Sequence, residues 1–171
     1  MAVTDLPETT SPGELIRWSV GRLNAQDLAS VRRLWTSDTH QRFPDRECRG
    51  PDEIAQYFQD GFDAIGGFHL EIVNLSEHGA HVYMHWHLTG VHQGVFSGIA
   101  ATGKPLAIDG IDHFTVRDGK VVSNFVIFDQ LQYALQVGMA PPEGSPADRA
   151  VKAAFNAKSR LAAKLRARSG K

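Results

Sequence analysis

The sequence contains one cysteine, Cys48. A single thiol permits neither an intrachain disulfide nor a multi-cysteine zinc site, and it fits a reducing cytoplasm. No run approaches ~18 consecutive apolar residues, so no membrane span is expected. The opening residues, MAVTDLPETTSPGEL, lack a basic segment followed by an apolar one, and no secretory leader is expected. There is no G-x-G-x-x-G unit, no G-x-S-x-G elbow and no Walker loop, so nucleotide-dependent chemistry and serine hydrolysis are not indicated. No internal repeat is present.

What remains is the profile of one ordinary globular domain: 171 residues, 42% apolar and 22% charged. The net charge of −1 hides an asymmetry. Residues 1–138 hold ten Lys/Arg against seventeen Asp/Glu, whereas residues 139–171 hold eight against two. Body and tail are therefore different electrostatic objects. The basic tail lacks an interleaved aromatic platform and the body is acidic, so nucleic acid is not the expected partner.

The first helix is signalled by its cap. Ser11 is a candidate N-cap, Pro12 fits the first helical position, and Glu14 completes a capping box. Leu15, Ile16, Val20 and Leu23 follow at helical spacing. Leu28, Val31, Leu34 and Trp35 repeat that spacing in AQDLASVRRLW. GPDEIAQYFQDGFDAI predicts a third helix, with acids in its first turn and Ile54, Tyr57, Phe58 and Phe62 on one side.

After Gly66-Gly67 the period changes to that of strands. FHLEIVNL, AHVYMHWHLTGVH, KPLAIDGIDHFTV and KVVSNFVIFD are rich in β-branched and aromatic residues and are bounded by Gly and polar breaks. QLQYALQVG predicts a short closing helix ended by Gly138. Residues 1–11 form an expected flexible N-terminus, 12–138 the domain, and 139–171 a linker with a basic helical tail. Helices followed by a run of strands predict an α+β fold. Three N-terminal helices would pack on a strongly curved antiparallel sheet, leaving a conical cavity open at one end.

His81, His85 and His87 recur at two-residue spacing, which places them on one face of a strand. Such spacing can hold a metal, but no acid-rich H-x-H-x-E arrangement accompanies it, and no metal is expected. The opposite face, Val82, Met84, Trp86 and Leu88, suits the lining of an apolar cavity. Cys48 has no base beside it in sequence and is expected to be a spectator.

GIDHFTVRDGKVVSNFVIFD predicts two strands around Arg117-Asp118-Gly119, and two turns are open. A two-residue turn pairs Arg117 with Lys120 and puts Asp112 on one face with Phe125. A three-residue loop pairs Val116 with Lys120 and sets Asp112 opposite Asn124. One residue of slip exchanges the faces.

Several motifs occur in order: T-G-x-H-x-G (Thr89, Gly90, His92, Gly94), G-I-x-x-T-G-K (Gly98 to Lys104), then GID-F-V-DGK and an FD-L…L-Q-x-G ending. With RGPDEIAQYF at the third helix, residues 12–138 closely resemble the SnoaL-like polyketide cyclases. The resemblance implies a nuclear-transport-factor-2-like cone, a homodimer formed through the sheet, and cofactor-independent chemistry. It also implies an acid–base pair. The cyclases' His falls on Asp112, and their Asp falls on Val126, which cannot titrate.

The resemblance favours the three-residue loop, so that Gly110, Asp112, Phe114, Asn124, Val126 and Phe128 face the cavity while His113, Ser123, Phe125 and Ile127 face away. A lone Asp112 in an apolar cone would have a raised pKa, suited to a general acid or base, with Asn124 beside it. His40, Gln41 or Arg42 of THQRF could supply the partner that Val126 cannot. Met84, Trp86, Leu88, Tyr57 and His92 complete the expected substrate contacts. His92 could equally serve only its own turn. The expected function is acid–base chemistry on an apolar carbonyl or polyketide-like small molecule, of cyclase, isomerase or hydrolase type. The alternative is a hydrophobic ligand binder of the same fold.

Overall fold

The computed structural model describes residues 11–169. The segment expected to be flexible lies, Ser11 apart, outside the described residues. The elements run α1 (Pro12–Asn24), α2 (Leu28–Arg32), β1 (His40–Arg42), β2 (Glu47–Arg49), α3 (Gly50–Ala64), β3 (Ile65–His78), β4 (His81–His92), β5 (Pro105–Arg117), β6 (Lys120–Phe128), α4 (Gln130–Val137) and α5 (Pro146–Ser169). The fold is α+β, as the order of periodicities predicts.

The predicted capping box closes α1. Ser11 Oγ accepts from the Glu14 N–H at 3.2 Å, and Glu14 Oε2 accepts from the Ser11 N–H at 3.0 Å. α2 is a single short piece, because its last apolar residues, Leu34 and Trp35, lie beyond the helix and are buried there. α4 begins at Asp129, whose Oδ1 accepts from the Gln132 N–H at 2.8 Å. It ends at Gly138, whose φ of 84° is left-handed.

The six strands form one open sheet in the order β2-β1-β6-β5-β4-β3. β3 to β6 are antiparallel, as predicted, but β1 pairs with β6 in parallel. No element is predicted for THQRF. It instead supplies β1, because Thr39 ties it down: Thr39 Oγ1 donates to the Val121 carbonyl at 2.8 Å.

Bulges bend the sheet around the helices. β3 carries two irregularities, between Gly66 and His69 and between Ile72 and Asn74. The helices and the inner sheet face share one core that includes Leu15, Ile16, Ile54, Ile65, Met84 and Ile108. α5 leaves Val151, Phe155, Leu161 and Leu165 largely exposed. Among the described residues no helix is long and apolar enough to cross a membrane.

The β5–β6 hairpin resolves the two open turns in an unexpected way. Arg117 pairs with Lys120 across Asp118 (φ 50°) and Gly119 (φ 68°), the two left-handed positions of a two-residue turn. That turn alone would put Asp112 with Phe125. A register shift follows at once, however: Val116 pairs with Val121, and Thr115 pairs with Ser123. The extra residue, Val122, is exposed. The bulge reverses the faces, and Asp112 pairs with Val126 while Phe114 pairs with Asn124.

Candidate functional site

An interior pocket of about 120 Å³ lies between the helices and the inner sheet face. Its walls are almost wholly apolar and include Leu34, Phe43, Phe68, Met84, Leu88 and Phe114. The polar side chains that line it are Ser19, Gln41, Tyr57, Asp112 and Asn124. Ser19 is already committed, since its Oγ donates to the Ile16 carbonyl at 2.8 Å.

Asp112 is the centre of the arrangement. Two diagonal neighbours reach it along the inner face, one from each flanking strand. From β4, Trp86 Nε1 donates to Asp112 Oδ1 at 2.9 Å. From β6, Asn124 Nδ2 donates to Asp112 Oδ2 at 3.1 Å. Burial pushes the carboxyl up to about 6, and the two hydrogen bonds hold it below what burial alone would give.

Gly110 makes this geometry possible. It faces Trp86 across the β4–β5 ladder. A Cβ at Gly110 would stand 2.1 Å from the indole Cζ2, so only glycine lets the ring lie across β5 and aim Nε1 at the carboxylate. Gly110 was expected to touch substrate. It is absent from the pocket lining, and Trp86 covers it.

The expected second partner is neither His40 nor Arg42. In the parallel ladder His40 pairs with Ser123, Gln41 with Asn124 and Arg42 with Phe125, so only Gln41 shares the inner face. His40 Nε2 lies 3.3 Å from Glu47 Oε2. The Arg42 guanidinium lies over the outward-facing Phe125 ring, 5.1 Å from its centroid. No charged side chain acts on Asp112 among the described residues.

Gln41 and Asn124 carry a further feature. Gln41 Oε1 and Asn124 Oδ1 are both buried, and neither has a hydrogen-bond partner among the described residues. Thr39, Gln41 and Phe43 alternate with His40 and Arg42, and the first three are buried.

Other expected contacts divide. Met84, Trp86, Leu88, Phe114, Val126, Phe128 and Tyr57 line the pocket. Tyr57 stacks on Phe43 with ring centroids 3.6 Å apart. Its hydroxyl donates to Asp45 Oδ1 at 3.3 Å, and burial raises its pKa further. For His92 a substrate contact and a turn role were equally open. It is fully buried and absent from the pocket lining, with Nδ1 3.1 Å from Thr102 Oγ1 and Nε2 3.4 Å from the Tyr133 hydroxyl. This is the turn role, in which His92 ties the connection after β4 to α4.

His81, His85 and His87 lie on the outer face. His81 Nδ1 is 3.0 Å from His113 Nε2, and His87 Nδ1 is 2.9 Å from Asp109 Oδ1. Among the described residues, no three His, Cys, Asp or Glu side chains are placed to hold a metal together. Cys48 is buried, and burial raises its thiol pKa, which disfavours the nucleophilic thiolate.

The sequence profile of the SnoaL-like polyketide cyclases matches residues 14–137. The chain belongs to that family. No curated protein matches the sequence. Among solved structures, this member of the family is similar to a protein from Jannaschia sp. CCS1 described as a SnoaL-like polyketide cyclase. The TM-score is 0.70 at 19% identity, covering 82% of this chain and 100% of the other. It is also similar to AclR from Streptomyces galilaeus, described as a hydroxylase, with TM-score 0.68, 22% identity, and 76% and 97% covered. A third is a protein of ketosteroid isomerase-like fold from Catenulispora acidiphila, in complex with trimethylamine: TM-score 0.65, 16% identity, 81% and 100% covered. At these identities the likeness establishes the fold, which hosts many chemistries.

Proposed function

We propose that this SnoaL-like protein is a cofactor-independent enzyme acting on an apolar carbonyl compound, with Asp112 as its general base and acid. The observation that carries the reading is Asp112 itself. It is a carboxyl in an apolar pocket, titrating near 6 and held by two N–H donors. In the step we assign to it, the carboxylate takes a proton from the carbon beside the carbonyl. The C–H electron pair passes into the enolate, and Asp112 returns the proton to carbon or oxygen. Isomerisation and ring closure both begin this way. Two copies of the chain would meet through the outer sheet face.

A second reading has a specific observation behind it. Val126 stands directly opposite Asp112, where the family's cyclases carry their second titratable group, and both Asp112 oxygens are already bonded. On that reading the protein binds a hydrophobic ligand without transforming it.

The test is deuterium exchange at the α-carbon of 2-tetralone, followed by NMR. The enzyme reading expects exchange above buffer for the wild type and its loss in Asp112→Asn. Exchange retained in Asp112→Asn would remove Asp112 from the chemistry. Tetralone that binds but does not exchange would favour the ligand binder.

A further inference from the structure

Buried polar atoms are ordinarily paired, because an unpaired one keeps the cost of its lost hydration. Gln41 Oε1 and Asn124 Oδ1 break that rule, and they do so together. Gln41 and Asn124 are register partners across the β1–β6 ladder, on the inner face. Their residues are 2% and 4% exposed, and both line the pocket.

Asn124 has little choice of orientation. An ionised Asp112 can only accept, so the amide must present Nδ2 to it, as the 3.1 Å bond shows. Oδ1 is then left facing away from the carboxylate with no donor. Gln41 Oε1 adds a second acceptor, and Asp112 a third and negative one. The polar floor of an otherwise greasy pocket is therefore rich in acceptors. The indole N–H of Trp86 and one N–H of the Asn124 amide are already spent on Asp112. A ligand that buries only carbon or a carbonyl there leaves these acceptors unpaired. A ligand that brings an O–H satisfies them.

We propose that Gln41 and Asn124 form an acceptor pair that selects a hydroxyl-bearing ligand: a neutral phenolic or enolic O–H on an apolar ring, seated beside Asp112. This deepens the reading of the pocket as a small-molecule site and rests on it. Gln41 is then a specificity-determining residue that touches the ligand's hydroxyl and leaves proton transfer to Asp112.

Calorimetric titration at neutral pH with 2-naphthol, 2-methoxynaphthalene and naphthalene tests the pair, because the methyl ether keeps the shape and removes the donor. The wild type is expected to bind naphthol at least about tenfold tighter than the ether. In Gln41→Leu the preference is expected to fall to within about threefold, with naphthalene bound as well as before or better. Gln41→Met, closer in shape to glutamine, repeats the measurement if the leucine variant does not fold. Equal binding of naphthol and ether by the wild type, or an undiminished preference in the folded variant, would overturn the acceptor pair and leave the apolar pocket standing. Binding of none of the three would overturn the pocket reading and this inference with it. A failure of tetralone exchange bears on Asp112 and leaves the naphthol preference to be read on its own.

Discussion

Trp86 Nε1 stands 2.9 Å from Asp112 Oδ1, its ring laid across Gly110. The indole serves as pocket wall and as the carboxylate's donor at once. Trp86→Phe keeps most of the wall and removes the donor. Losing a hydrogen bond to a buried carboxylate costs about 1–3 kcal/mol. That cost falls on the ionised form, so the variant is expected to lose stability mainly above the Asp112 titration, and the carboxyl pKa is expected to rise further. Denaturant unfolding at acid and at neutral pH, with carboxyl titration by carbon NMR, checks both. Equal destabilisation at the two pH values would assign Trp86 to packing alone.

The Asp112 shift has a stability consequence whose sign is fixed. The folded carboxyl titrates near 6 against an ordinary 3.8, so over that window the folded state binds more proton than the unfolded one. The contribution of Asp112 to stability is full below about pH 4 and lost as pH rises through about 6. About two pH units correspond to roughly 3 kcal/mol. Asp112→Asn removes the titration, so its stability is expected to lack this fall and, at neutral pH, to equal or exceed that of the wild type. Matching pH slopes in the two proteins would mean that Asp112 titrates at its ordinary value.

Much of this was legible in local sequence. Ser11 and Glu14 signalled their helix start, and Val82, Met84, Trp86 and Leu88 alternated inward as strand residues do. Three features were not legible, and each depends on distant chain. The inward face of Asp112 is set by a bulge at Val122, which carries no glycine or turn signal to mark it. The choice of Gln41 over His40 and Arg42 needs a parallel pairing between β1 and β6, elements about eighty residues apart. The indole N–H reads as part of an apolar residue until its neighbour is seen to be glycine. His92 was open between two roles, and Tyr133 of α4 decided between them.

Gly110→Ala tests whether the indole's seat is required. The added methyl would enter the ring space, 2.1 Å from Cζ2, and the ring carries the hydrogen bond with it. Overpacking of this kind costs about 1–3 kcal/mol. The expected result is a lower melting temperature with a changed tryptophan fluorescence and a raised Asp112 pKa. A variant that melts like the wild type, with its fluorescence unchanged, would show that the strand can give way at no cost.

Tyr133→Phe probes His92 in its place behind the pocket. The Tyr133 hydroxyl donates to the Phe96 carbonyl at 3.2 Å and lies 3.4 Å from His92 Nε2. Deleting it leaves the Phe96 carbonyl short of a donor and His92 Nε2 short of a partner, at a cost of about 1–2 kcal/mol. Stability is expected to fall while naphthol affinity stays within about twofold, since His92 does not line the pocket. A large loss of affinity at wild-type stability would return His92 to the binding site.

The outer sheet face carries the prediction about assembly. Ile111 and Ile127 are register partners there, each 55% exposed, and Phe125 lies beside them opposite His113. Tyr83 extends the patch by stacking on His113 with ring centroids 4.4 Å apart. A contiguous exposed apolar patch on a sheet face is the usual mark of an interface. Two copies placing these faces together would bury it, and the pocket on the opposite face would be untouched. Ile127→Glu puts a charge at the patch centre and is expected to convert dimer to monomer in light scattering coupled to size exclusion, with pocket ligands still bound. A wild type that is monomeric at micromolar concentration would defeat the assembly, and a dimer indifferent to Ile127→Glu would move the interface elsewhere.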